Sequence, residues 1–204
     1  MSSLPLIRCH EVSIHRGDRC LIADLDWSVN AGELWQVTGD NGTGKTSLLR
    51  VLAGLAPNSL VGQCEREGGA LYLGHKNGVK ADFSPRENLA LGLGTERRFS
   101  CKEMDRALEI VGLGNHLNEP AYRLSAGQQR RIGLARLFLP SPQLWILDEP
   151  LTAIDVSGVG LIERCVSEQI ERGGAVVFTS HQPLVSGTLQ RLHLSAGRGV
   201  VQRV

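Results

Sequence analysis

The stretch GDNGTGKTS at 39–47 fits the pattern G-x-x-x-x-G-K-[ST], and each fixed position in it has a chemical reason. Glycines let backbone amides wrap phosphate oxygens, Lys45 reaches β- and γ-phosphates, and Thr46 offers a hydroxyl to Mg²⁺. The expected cradle is therefore Gly39, Asp40, Asn41, Gly42, Thr43, Gly44, Lys45, Thr46 and Ser47. Asp148-Glu149 closes the apolar run LWILDE. An acidic pair after a strand is ordinarily a solvated strand end. Beside a phosphate loop, Asp148 suits the Mg²⁺ shell and Glu149 suits orienting and deprotonating an attacking water. His181 ends AVVFTSH and His75 ends GALYLGH. Parallel strands would bring both to the same sheet edge, where His181 is the stronger candidate for a γ-phosphate contact.

YRLSAGQQRR at 122–131 adds a second phosphate-facing feature. Ser125 and Gln128 are spaced as a capping box, so a helix should start there with exposed amides, a ready anion site. Gly127 lets another group approach that backbone closely. A chain with one complete phosphate cradle has no evident use for a second such helix end.

The elements that must hold these residues are legible from periodicity. LDWSV (25–29) alternates as a half-buried strand, LWQVTG (34–39) is a buried strand entering the glycine loop, and residues 46–55 place Leu48, Leu49, Leu52 and Leu55 on one helical face. Residues 69–75 read as a strand. Ser84-Pro85-Arg86-Glu87 and Ser100-x-x-Glu103 are further capping boxes. The helix from Ser125 should end before Pro140, LWILDE and AVVFTSH are strands, and a helix over about 156–172 stops at Gly173-Gly174. A terminal hairpin spans 192–204. Strands alternating with helices predict an α/β fold with a mostly parallel sheet and a mainly helical stretch at about 75–140.

The 204 residues carry 22 basic and 21 acidic side chains, a net charge of +1 that argues against nucleic-acid binding. Five scattered cysteines, Cys9, Cys20, Cys64, Cys101 and Cys165, suit small buried hydrophobes in a reducing compartment better than disulfides or zinc. Charges in the first 30 residues exclude a signal-peptide core, and no 18-residue apolar run exists to span a membrane. The expectation is a globular protein of cytoplasmic type.

GDNGTGKTS, LSAGQ, LWILDEP, LTAID and TSH, in that order, resemble the ATP-binding cassette of ABC transporters over nearly the whole chain. The resemblance implies a P-loop NTPase: one ATP-binding domain over 1–204, with an N-terminal antiparallel β part and a helical sub-lobe at about 76–140. It implies ATP and Mg²⁺ as cofactors and a hydrolytic reaction. In that family two cassettes dimerise head to tail, each ATP lying between one chain's loop and the other's LSxGQ helix. Ser125, Ala126, Gly127 and Gln128 would then serve the partner's nucleotide, with a second copy of this chain as partner. By the same resemblance Asp155 couples the two ATP sites and His181 holds the γ-phosphate. His75 stands where the family usually has glutamine. Arg16 stands where an aromatic usually stacks on adenine; a solvated surface arginine is the other reading.

YLGH, GVK at 78–80, Glu87-Asn88, the short length and LSAGQQRR resemble more narrowly the haem-exporter ATPases of cytochrome c maturation. That group often has Gln-Pro after the histidine, whereas Lys76-Asn77 follows here. The resemblance implies integral membrane subunits as partners, attachment at the cytoplasmic side of the inner membrane, and hydrolysis that drives haem handling. No C-x-x-C-H pattern is present, so no direct haem binding is expected. The membrane subunit would dock on His75 to Leu93, with Val79, Phe83 and Leu89 as apolar candidates; packing inside the sub-lobe is the alternative. Rival readings are export of lipid or drug, a soluble ATPase of iron–sulfur assembly, and a small P-loop kinase, for which LSAGQ would have no purpose.

Overall fold

Apolar runs at 34–39, 144–148 and 175–179 become the buried strands of the computed structural model, which describes residues 4–75, 78–91, 99–152, 154, 156–180, 188–195 and 197–202. The strands are β1 Ile7–Arg16, β2 Arg19–Val29, β3 Leu34–Gly39, β4 Leu60–Arg66, β5 Ala70–Leu73, β6 Leu144–Asp148, β7 Ala175–Thr179, β8 Leu189–Ser195 and β9 Gly197–Gln202. Among the described residues they form one sheet in the order β4-β1-β2-β9-β8-β3-β7-β6-β5. β8, β3, β7 and β6 run parallel, while β4, β1 and β2 are antiparallel neighbours.

The chain forms two compact units. The first comprises Met1–Tyr72, Pro142–Pro150 and Val166–Val204. Its core joins Trp35, Val37, Ile146 and Val177 of the parallel strands to Leu48, Leu49 and Leu52 of α1 (Lys45–Leu52). Trp27 and Trp35 meet edge to face at 5.2 Å between ring centres, worth about 1 kcal/mol beyond their burial. α1 ends earlier than its apolar face suggests, because Gly54 turns the chain at φ 74° and Arg66 donates to the Leu52 carbonyl at 3.1 Å.

The second unit comprises Leu73–Ser141 and Leu151–Cys165. It holds α2 Pro85–Leu91, α3 Cys101–Ile110 and α4 Ala126–Ala135 around Leu89, Met104, Leu108, Leu113 and Ile132. The Ser100–Glu103 and Ser125–Gln128 capping boxes are both complete, and at α2 Glu87 accepts from the Ser84 amide and hydroxyl. A final helix, α5, spans Val156–Glu171.

The expected strands were too few at the N-terminus. β1 and most of β2 escape a period-two reading because Glu11 and Asp24 each sit at φ 49°, where the register slips and the inward and outward positions exchange. β4 is an edge strand with mostly exposed residues, so it carries no apolar alternation at all.

Candidate functional site

The parallel register brings three strand ends to one edge. Val37 of β3 pairs with Thr179 of β7, and Asp148 of β6 pairs with the same threonine. The glycine loop leaves β3 at this edge. Gly39 lies at φ 136°, and a Cβ there would run into the Leu194 carbonyl; Gly44 lies at φ 103°, with a Cβ only 3.1 Å from that of Leu21. A side chain would clash at Gly39 and strain the backbone at Gly44. Gly44 is also the N-cap of α1, makes no side-chain cap, and is followed by no acidic residue in the first turn. The amides of that turn are thus left for an external anion.

Lys45 Nζ donates to the carbonyls of Gly39 at 2.7 Å and Asp40 at 2.9 Å, which folds its ammonium back over the loop. Thr43 Oγ1 braces the loop by donating to the Asp40 carbonyl at 2.9 Å. Thr46 Oγ1 donates to Asp148 Oδ2 at 2.9 Å, and Thr179 Oγ1 donates to Asp148 Oδ1 at 2.7 Å. Asp148 is 2% exposed. Both its oxygens are therefore oriented, and a hydroxyl beside a carboxylate is the hard oxygen donor set that suits Mg²⁺. Its charge reaches Tyr72, whose phenol is pushed up to about 12, by burial first and by Asp148 second.

Glu149 leaves the strand at φ 53°, a costly conformation for a residue with a Cβ. Its amide donates to Thr179 Oγ1 at 3.0 Å and to the Thr179 carbonyl at 3.2 Å, which holds the turn. A cleft of about 400 Å³ is lined by Lys45, Thr46, Asp148 and Glu149 together with Arg16 and Arg19. Arg16 and Arg19 are paired residues at the β1–β2 turn.

In the second unit, Ser125 Oγ accepts from the Gln128 amide at 3.2 Å and Gln128 Oε1 accepts from the Ser125 amide at 2.8 Å. A Cβ on Gly127 would meet nothing within 4 Å, so this helix start has open space at its approach. Gln128 Nε2 lies 3.2 Å from His116 Nε2, and His116 Nδ1 lies 2.8 Å from Glu119 Oε2. Gln128 Nε2 can only donate, so His116 accepts at Nε2 and turns Nδ1 toward the Glu119 carboxylate. His75 is exposed in this unit. Asp155 and His181 lie outside the described residues.

Four residues carry roles that the sequence did not reveal. Thr179 was findable, since parallel pairing of LWILDE with AVVFTS puts it opposite Asp148. Arg19 was hidden with the unread β1–β2 hairpin. The His116–Glu119 pair carries no sequence signal, because only the fold brings it to Gln128.

The family model described as ABC transporter matches residues 22–152. The cytochrome c biogenesis ATP-binding export protein CcmA of Hahella chejuensis is 43% identical, over 94% of this chain and 97% of that protein. The same-named proteins of Pasteurella multocida (41%; 95% of this chain, 97% of that protein) and Haemophilus influenzae (43%; 91% and 93%) are similar to a like degree. A solved structure titled as an inward-facing conformation of a metal-chelate type ABC transporter shares the fold, with a TM-score of 0.76 and 21% identity over 98% of this chain and 84% of that one.

Proposed function

We propose a function from one premise: this chain belongs to the ABC transporter family, and within it to the cytochrome c biogenesis ATP-binding export proteins. It is the ATP-hydrolysing subunit of an export complex and couples hydrolysis to haem export in the maturation of c-type cytochromes. The carrying observation is the bond between Thr46 and Asp148, which ties the phosphate loop to the acidic strand end at 2.9 Å.

In this reading the loop amides from Gly39 to Ser47 hold the phosphates. Lys45 exchanges its two carbonyl partners for β- and γ-phosphate oxygens. Thr46 and Asp148 hold Mg²⁺, which when bound neutralises charge on those oxygens. Thr179 keeps the Asp148 carboxylate turned toward Thr46. Glu149 takes a proton from the attacking water, and His181 contacts the γ-phosphate. Arg16, with Arg19 beside it, offers a planar cation to the adenine side of the cleft. Residues 1–204 act as one ATP-binding domain with the helical sub-lobe at about 76–140.

Two copies of the chain pair head to tail, so that Ser125, Gly127 and Gln128 of one face the nucleotide of the other and Asp155 couples the sites. The open approach to Gly127 supports this arrangement. The assay is Mg²⁺-dependent release of phosphate from ATP by the chain with its membrane subunits. Sustained, metal-dependent turnover is expected; phosphate passing to a small acceptor instead of water would mark a kinase and overturn the reading.

No helix of the described residues is long and apolar enough to cross a membrane. Attachment at the cytoplasmic side of the inner membrane then comes from contact with integral membrane subunits. Of the three apolar candidates, Leu89 is fully buried in the core of its own unit and Val79 packs against that core, so both are packing residues. Phe83 is 37% exposed, with Lys80 Nζ 5.5 Å from its ring centre. We assign the docking contact to Phe83. Phe83→Glu should lose recovery with the membrane fraction while its stability stays within about 0.5 kcal/mol, the range of surface substitutions. Undiminished recovery in a stable variant would move the contact elsewhere.

A further inference from the structure

Cys9 and Cys64 are far apart in sequence, but they are register partners across the β1–β4 pair. Their sulfurs lie 3.6 Å apart, with the Cys9 thiol donating to Cys64. Directly opposed residues on one sheet face have Cβ atoms roughly 4.5–5.5 Å apart, whereas a disulfide needs about 3.8 Å. Joining the sulfurs therefore asks for a strand approach of about 1 Å. The local structure favours that movement. The β1–β4 register slips just beyond the pair, between His10 and Ser13, and such bulges add twist and local freedom. β4 is also the edge of the sheet, held in the sheet by β1 alone among the described strands.

The two thiols differ in reach and in acidity. Cys9 is buried at 4% exposure, while Cys64 is partly exposed on the outer strand. Cys64 is held below the ordinary thiol value by the hydrogen bond from Cys9 and, less strongly, by the Arg66 guanidinium, against the opposing effect of burial. Cys9 is pushed up by that hydrogen bond and by burial. The pair thus divides into a more accessible, more acidic thiol and a sheltered, less acidic one behind it.

We propose that Cys9 and Cys64 form a redox-modifiable dithiol, closed by small hydroperoxides into a disulfide that staples β4 to β1. The Cys64 thiolate attacks the O–O bond of the peroxide and becomes a sulfenic acid, and the departing oxygen takes up a proton and leaves as water or alcohol. Cys9 sulfur then attacks the sulfenic sulfur, giving its proton to the hydroxyl that leaves as water. Two thiols lose two electrons and the peroxide gains them.

The staple bears on the nucleotide helix. The loop it closes, residues 9–64, contains the whole cradle at 39–47, and Arg66, next but one to Cys64, caps the last turn of α1 at Leu52. Oxidation should therefore raise the thermal midpoint by roughly 5–10 °C, reversed by dithiothreitol.

The test treats the full chain with hydrogen peroxide, unfolds it, alkylates the remaining thiols and maps the peptides by mass spectrometry. A linked Cys9–Cys64 peptide and loss of two alkylatable thiols are expected. Cys64→Ser should leave Cys9 alkylatable, and Cys9→Ala should leave Cys64 as a sulfenic acid that dimedone traps. Full alkylation of both residues, with oxidation confined to the exposed Cys20 and Cys101, overturns the proposal. An oxidised chain that melts lower than the reduced one overturns the stapling role.

Discussion

Glu149→Gln is expected to keep ATP binding and to lose hydrolysis by about 10²–10⁴-fold, the range a positioned general base supplies. The substitution changes charge and proton affinity and keeps the side chain's size. The turn at Glu149 is held by its amide on Thr179, which the glutamine retains. Lys45, Thr46 and Asp148 keep their bonds, so the phosphate cradle and the metal donors survive. The water loses its proton acceptor, and the γ-phosphate loses a repelling carboxylate. ATP should therefore stay bound and uncleaved, and the head-to-tail dimer should accumulate. Nucleotide retention, phosphate release and sizing in ATP measure the three effects, with the membrane subunits present as well as absent. Near wild-type hydrolysis would place the base elsewhere, and a variant that stays monomeric with ATP in both settings would contradict the paired arrangement.

The site was legible where chemistry and local structure coincide. The loop at 39–47 needs glycine at fixed points and a strand before it, so its sequence declares its shape; Gly39 then proves to have no room for a side chain, and Gly44 holds a backbone angle that side chains rarely adopt. The Ser125 box could be read because capping involves only four consecutive residues, and both of its hydrogen bonds form. What stayed hidden depends on register or on tertiary approach. One left-handed residue, Glu11, shifts the alternation of β1 and conceals a ten-residue strand, and with it Arg19 across the β1–β2 turn; Arg16 was named through the family resemblance alone. The five cysteines looked scattered because the antiparallel pairing that faces Cys9 with Cys64 spans most of the nucleotide-binding segment. His116 reaches Gln128 only through the packing of the helical unit.

The central claim is that two helix ends from two chains close on one ATP. Lys45→Ala alone should lower hydrolysis by roughly 10²–10³-fold, because a directed cation is lost from the charge that builds on the phosphate. Ser125→Arg alone should do as much by blocking closure, with ATP binding by the single chain nearly unchanged. Ser125 is exposed, so the bulky charge is accommodated until a partner approaches. A dimer of one chain of each kind has one composite site carrying both defects and one carrying neither. The decisive measurement is single-turnover hydrolysis, which needs only one working site, in such mixed dimers isolated through two different affinity tags. The account predicts a burst of hydrolysis from the one intact site, absent from either variant alone. Mixed dimers that bind ATP yet show no burst above the single variants would contradict it.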